Sequence, residues 1–556
     1  MLDMLQPNEV VGLGVFVCAL TFALVVCKEL RSLHIYGDLA QTQVAVGIAL
    51  SFVCAAWLAT EATLHASRAI AAEKECLIRQ GEERGDFEAG TANYGGAGGA
   101  LLVASTGPTP LSHRLTRMLE PLRAGAELSG ILLFMFLCDR TAVFGTMEKK
   151  ESVPLFWAVW AAICAAAFFT IRELKQAKVL AREQTDEWRG WMQIMFLMYH
   201  YFHYADFYNA IRVFIAGYVM MTGFGNFMYY RGTDDFSLRR IMQMLFRLNF
   251  LGFCVCFALN NELMLYYICP MHTFFTILVI LSLYIGRSLN QSTMGVYVKV
   301  ALITLVTLLV YDGPEIIFSL VFDTVPVWKN VFAFHDPLHP EFTQDEMHEW
   351  HFRSGLDRFN WVVGMLIALH LPHLADILER LDAADAAVRR LSQCLLAVAM
   401  LAAGGVWVTQ VFLLDKYVYN KVHPFTAFIP LVIFIVLRNL TATLRRYYIF
   451  AFAWIGQYTL ETYILQFHVW MRTTGINGSP KSLIVFVPGS WAVNFVVGTT
   501  IYMFLSIRFF KLTVVLKDAL IPKNNSWWPA AAVFMLGAGS YILSSVVPRT
   551  PAASGN

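Results

Sequence analysis

Apolar runs of about 20 residues recur along almost the whole chain, and few features constrain a fold more. Lipid offers the backbone no hydrogen-bond partner, so each such run must satisfy its own N–H and C=O groups as a helix. The expected fold is therefore all-α, a polytopic membrane helix bundle. Four candidate spans, about 10–27, 42–62, 127–145 and 155–172, open the chain. Ten more follow at about 191–222, 241–260, 264–285, 297–322, 360–377, 393–413, 424–440, 447–470, 485–507 and 528–546, about fourteen in all. Composition agrees: mean hydropathy is +0.54 and only 15% of residues are charged, against about 25% in soluble domains. The net charge of +2 gives no signature of a nucleic-acid partner. Cys18, Cys54, Cys164, Cys254 and Cys256 lie inside apolar runs and read as small buried hydrophobes, not as a disulfide framework or zinc site. The first run is followed by Lys28 without a small-residue cleavage site, and reads as a retained span.

The expected organisation is a front membrane part over 1–185, with four spans and a flexible loop at 63–125. A second multi-span domain follows over 186–546, then a polar tail over 547–556. The loop is assigned on its charged, then Gly- and Pro-rich composition. No internal repeat is seen. Arginines at 231, 239, 240, 287, 380, 389, 390, 438, 445 and 446 fall in alternate loops, which are cytosolic by the positive-inside rule. The linker 172–190 breaks the pattern: it is basic, yet parity places it across the membrane if 191–222 crosses once.

Polar residues inside or beside apolar spans are costly and mark sites or water-filled cavities. In 191–222, His200, His203, Asp206 and Asn209 form a stripe on one helix face, read either as satisfied by neighbouring helices or as a catalytic lining with His as general base. Metal ligation by this stripe is the weaker alternative, and no metal is predicted. Arg247 and Asn249 follow, then His272 beside Pro270, which should break its helix. Glu461 and His468 are seven apart, two turns, and so share a face. The densest group is Glu349-Trp350-His351-Phe352-Arg353-Ser354-Gly355-Leu356-Asp357-Arg358, in a loop that also holds His335, Asp336, His339 and His348. Arg353 and Asp357 stand at i, i+4 as an ion pair, leaving Arg358 and His351 to bind an anion. Asp357 neutralises only one of the two arginines, so one guanidinium should be free.

Several segments together resemble one family. They are Tyr199-His200-Tyr201, Thr222-Gly223-Phe224-Gly225-Asn226, Tyr266-Tyr267-Ile268-Cys269-Pro270-Met271-His272-Thr273, the 348–358 motif, and Glu461-Thr462-Tyr463-Ile464-Leu465-Gln466-Phe467-His468. The chain resembles, over about 186–545, the multi-span acyltransferase domain of plant reduced-wall-acetylation proteins, the fungal capsule O-acetylation protein and the animal sialic acid O-acetyltransferase. It is closest to the plant form, without a lumenal Ser-hydrolase-type domain. The resemblance implies an O-acetyltransferase of the Golgi membrane, with acetyl-CoA as donor and a glycan or cell-wall polysaccharide as acceptor. It also implies, for the plant form, a separate lumenal transferase as partner. On that reading His200, His203, His272, His351, Glu461 and His468 are catalytic candidates. Arg212, Arg231, Arg239 and Arg240, expected near the cytosolic ends, are candidates for the CoA phosphates. Arg247, Asn249, Glu349, Arg353, Asp357 and Arg358 are further substrate-binding candidates. The alternative of another class is a transporter of acetyl-CoA or a small anion that supplies a separate transferase. In the lumenal loops, Asn477-Gly-Ser is an expected glycosylation site.

Overall fold

A computed structural model describes residues 41–83, 110–324, 328, 331–337 and 345–522. The spans expected at about 10–27 and 528–546, His339 and the tail 547–556 lie outside the described residues. The chain forms two compact units, one of residues 1–142 and 511–556, the other of residues 143–510. Among the described residues, eight helices are long and apolar enough to cross a membrane, or nine if one pair bent by 60° counts as a single span. The expected total of about fourteen is not reached there.

In the first unit, α1 (Gln41–Glu83) packs along α2 (Pro110–Arg140), and Arg123 reaches Glu61 at 3.3 Å. The loop expected over 63–125 is helical on both sides of 84–109. Its Ala, Glu, Leu and Arg residues are strong helix formers, and polarity alone does not break a helix.

The second unit starts with β1 (Gly145–Glu148), α3 (Val153–Phe168) and β2 (Ile171–Glu173). The span expected at 191–222 is instead two helices, α4 (Arg182–Tyr201) and α5 (Tyr208–Thr233). His203 takes a left-handed backbone, φ 51°, which ends α4. The two helices run antiparallel: Tyr218 donates its hydroxyl to the Arg189 carbonyl at 2.7 Å. The chain thus returns to the end it left, and the basic linker 172–190 joins the end that carries Arg231, Arg239 and Arg240. The expected single helix over 191–222 is thus a helix pair, of which only the second is long and apolar enough to cross a membrane.

The rest of the unit alternates direction. It comprises α6 (Leu238–Leu259), α7 (Ile268–Tyr284), α8 (Thr293–Tyr311), the short α9 (Glu315–Phe322) and α10 (His348–Leu356). Then come α11 (Asn360–Ala383), α12 (Ala386–Trp407), α13 (Lys416–Thr426), α14 (Phe428–Asn439), α15 (Ala442–Arg446) and β3 (Tyr447–Ile449). Last are α16 (Phe450–Ile455), α17 (Thr459–Leu465), a π-turn at Gln466–Trp470, β4 (Met471–Thr473), β5 (Pro480–Val485) and α18 (Trp491–Leu520), which continues beyond the unit. The bent pair is α13 and α14. At one end β2 pairs with β3, and Arg287 holds Asp234 at 2.6 Å. At the other end β5 lies between β1 and β4. We call the first the basic end and the second the sheet end.

Two helix pairs touch backbone to backbone. A Cβ on Gly223 would stand 1.9 Å from the Trp361 carbonyl oxygen, and one on Gly364 2.0 Å from that of Met220, so α5 and α11 fit only without side chains there. Gly190 and Gly456 do the same for α4 and α16. Overpacking in a core costs about 1–3 kcal/mol even when side chains yield, and here backbone must move. Gly364→Ala is expected to lower the melting temperature of the purified protein steeply, whereas Gly225→Ala, with open space around it, should not.

Candidate active site

The motif helix α10 is anchored by Trp350, fully buried and stacked on Phe332 at 3.8 Å. That anchor presents the charged face of α10 to α5, α7 and α13. Its ion pairs differ from those the spacing suggests. Arg353 donates to Glu349 at 2.9 Å and lies 4.8 Å above the Tyr267 ring. Asp357 instead receives Arg212 of α5, at 2.6 Å, with both side chains fully buried. Arg358 donates to Asp312 at 2.6 Å and to the Gly355 carbonyl at 2.6 Å. Each guanidinium therefore has its own carboxylate, and the expected free one is absent from this motif. A helical i, i+4 pair lost to a partner 145 residues away because α5 and α11 run parallel and bring Arg212 level with Asp357.

Asp357 also accepts from Asn360 at 3.1 Å and stands 3.7 Å from His423 Nε2. Tyr419 continues the line, 2.9 Å from His423 Nδ1. Asp312, Tyr419 and His423 escaped the sequence reading. His423-Pro424 sits at the head of an apolar run, and nothing in the sequence shows that α13 folds back against α10. Arg212 was expected beside Arg231, Arg239 and Arg240. It lies in the first turn of α5, they lie at or beyond its last, and 19 residues at 1.5 Å rise separate Arg212 from Arg231 by about 28 Å.

The stripe of four polar residues does not exist. His203 is exposed in the turn, Asp206 is exposed in a short 3₁₀ segment, and Asn209 donates to the Phe412 and Leu414 carbonyls at 2.8 and 3.0 Å. His200 remains in α4, its ring edge-on to Phe196, Tyr199 and Phe467 at centroid distances of 4.8, 5.0 and 5.9 Å. Among the described residues no group hydrogen-bonds its imidazole. Arg353 and Lys149 act on it electrostatically. Lys149, in the loop after β1, is a further residue missed in the sequence, and burial pushes its amine down to about 7.

The other histidines have partners. His272 Nδ1 lies 2.7 Å from Thr222 Oγ1, which is also 3.1 Å from the Tyr218 carbonyl. A hydroxyl has one proton; given to that carbonyl, it makes Nδ1 the donor and leaves the lone pair on Nε2. His468 Nε2 is 2.6 Å from the Tyr266 hydroxyl, which Asn261 supports at 3.0 Å. Glu461, fully buried, takes Arg247 at 2.5 Å through one oxygen, and its other oxygen has no hydrogen-bond partner among the described residues. Between Glu461 and His468 the helix changes to a π-turn; Glu461 meets Arg247 of α6, and His468 meets Tyr266 just before α7. Asn249 links α6 to α7, donating to Thr273 at 2.7 Å. Arg231 and Arg240 lie over the Phe227 and Tyr229 rings at the basic end, where Arg239 is half-buried. His351 stacks on Phe318 at 4.0 Å. Beside it a cavity of about 440 Å³ opens between α10 and α13, lined by His348, His351, Arg358, Tyr417 and Lys421 among others.

Asn477 is a clasp rather than a free sequon. It is 7% exposed; its Oδ1 accepts from the Glu262 N–H at 2.8 Å and its Nδ2 donates to the His335 carbonyl at 3.3 Å. His335 Nδ1 in turn meets Glu262 at 2.6 Å. The carboxylate raises the His335 pKa above its ordinary value. A raised folded pKa means that the stabilisation is full below the unfolded value, about 6.5, and fades as pH rises through the folded one. Hydrogen exchange over 331–337 is expected to quicken, beyond its intrinsic trend, as pH rises above about 6.5. In Glu262→Gln most of that added pH dependence should go, leaving the part that Glu346, 3.6 Å from His335 Nε2, supplies.

A family described as the 10 TM acyl transferase domain found in Cas1p matches residues 39–531, a wider stretch than the expected 186–545. An N-acetylneuraminate (7)9-O-acetyltransferase of Danio rerio is 31% identical over 437 residues, 76% of this chain and 53% of that relative. The chain thus spans about half the length of the curated relative it matches. No solved structure matches. A bundle of apolar helices with an ionisable core, matched over most of its length by one family, belongs to that family: the chain is a member of the 10 TM acyl transferase domain family found in Cas1p.

Proposed function

We propose that this protein is a membrane O-acetyltransferase acting on glycans. It takes acetyl from cytosolic acetyl-CoA at the basic end and delivers it at the sheet end, which faces the Golgi lumen. The observation that supports this most is His200. It is a half-buried imidazole flanked by three aromatic rings, without a hydrogen bond among the described residues, and under the field of Lys149 and Arg353. His200 is half-buried, so its imidazole is held by rings on its sides and still reachable by a reacting group.

In the proposed reaction an imidazole nitrogen attacks the thioester carbonyl, the C–S bond breaks and CoA leaves as thiolate. An acceptor hydroxyl then attacks the acetyl-imidazole, the C–N bond breaks, and the hydroxyl proton passes by way of the imidazole to the thiolate. The sum is thioester plus alcohol to ester plus thiol. Arg353 stabilises the carbonyl oxygen as charge develops on it. Arg231, Arg239 and Arg240, about 28 Å from the level of Arg212, attract the CoA phosphates on entry and do not hold them during attack beside Arg353. His272, with Nε2 as its lone-pair nitrogen, and the Arg247–Glu461 pair line the path between the two ends. The Danio rerio relative acts, by its name, on N-acetylneuraminate; the acceptor here is a glycan or wall polysaccharide hydroxyl. A separate lumenal transferase is the proposed partner where transfer needs a second protein.

The test is labelled acetyl-CoA with the purified protein. Label retained on the protein, or CoA released, is the expected result. Neither occurring, with acetyl-CoA or a small anion instead moving into vesicles, would replace this reading with a transporter.

A further inference from the structure

The ionisable side chains that line the cavity between α10 and α13, its tyrosines aside, are basic ones. They are Arg358, Lys421, His348 and His351, and no carboxylate contributes among the described residues. Arg358 has Asp312 as counter-ion, but its Nε has no hydrogen-bond partner among the described residues. Lys421 is exposed and makes no ion pair among the described residues. Lys416 adds a further ammonium beside the cavity, 5.9 Å from the centre of the Tyr417 ring. Glu315 and Asp345 act on His351 electrostatically but lie outside the lining. The mouth is aromatic and polar as well as cationic. Tyr417 is 75% exposed, an apolar ring held out to solvent, and Asn420 accepts from the Tyr208 hydroxyl at 3.1 Å. A volume of about 440 Å³ lies within the range of pockets that seat small ligands.

Among the described residues, an aromatic face beside an amide, the unpaired Lys421 ammonium and the open Nε of Arg358 is the chemistry of a sugar ring that carries an anion. We infer that this cavity is a subsite for an acidic sugar of the acceptor. The carboxylate or phosphate sits against Lys421 and Arg358, and the ring face lies on Tyr417. The inference rests on the proposed acetyl transfer for its purpose, but not for its test. It makes the motif at 348–358 a selector of acceptors as well as a wall of the reaction chamber. It also gives Lys421, which no motif marks, a part in recognition.

Binding to the full chain, purified in detergent, is measured for glucuronate, its methyl ester and a hexose phosphate. Glucuronate or the hexose phosphate is expected to bind at least about tenfold tighter than the uncharged ester, a difference of about 1.4 kcal/mol. Whichever anion is preferred names the charged group. The preference should shrink as salt is raised. Lys421→Met should abolish it, while Lys481→Met, on β5 outside the cavity lining, should keep it. Equal binding of acid and ester, or an unchanged preference in Lys421→Met, overturns the inference. Labelled acetyl-CoA is run on the same preparation. Failure there with a preserved acid preference overturns the proposed reaction and leaves the acidic subsite standing.

Discussion

His200→Ala is expected to reduce glycan acetylation by about a hundredfold or more, the usual loss when a positioned acid, base or nucleophile is removed. The protein should still fold, because among the described residues no hydrogen bond of the core depends on that ring. The lost edge contacts to Phe196, Tyr199 and Phe467 cost packing only. The contrast is His203, three residues on. It is exposed, and its backbone is left-handed at φ 51°. Asn tolerates that conformation, so His203→Asn should keep both fold and acetylation. Size-exclusion profiles and acetyl content of cells lacking the native protein give the two readouts. If His200→Ala acetylates normally, the carrier is not this imidazole, and His272 with its lone pair on Nε2 becomes the one to test.

The class of fold was legible because lipid leaves the backbone few options, so apolar runs of sufficient length must be helices. What failed was continuity. The run 191–222 carries no Gly or Pro near its break, and a left-handed His203 leaves no mark in periodicity. The missed break misplaced a stripe of four polar residues. Arg353 and Asp357 show a second limit. Spacing within a helix names a partner, but a buried carboxylate goes to the cation that packing brings level with it. Arg247 and Glu461 were each visible as costly residues inside apolar spans, yet their 214-residue separation hid their pairing. The 348–358 motif was legible as a dense charged cluster, and the pairing of its residues with Asp312 and Arg212 was not. Lys421 and Tyr417 lay outside every motif, and the cavity they line exists only because α13 folds back on α10.

Asp357→Ala is expected to cost about 3–5 kcal/mol, the penalty for leaving one buried charge without its partner. Arg212 is 1% exposed and already has Nε and Nη1 without hydrogen-bond partners among the described residues, so it has no route to water. Asn360 loses an acceptor and His423 loses the anion at 3.7 Å. The outcome should be loss of folded protein rather than a folded, inactive enzyme. Asp357→Asn keeps the shape and one acceptor, and should be destabilised less. The pair Arg212→Met with Asp357→Leu removes both charges at similar volume. Replacing a buried ion pair by apolar groups is often close to neutral, so the double variant should melt well above Asp357→Ala. Thermal melting of the purified variants reads this directly. A double variant no more stable than Asp357→Ala would show that Asp357 matters through His423 and Asn360 and not through Arg212. A wild-type melting temperature in Asp357→Ala would show that the charge has another partner, and that α5 and α11 are held by their glycine contact alone.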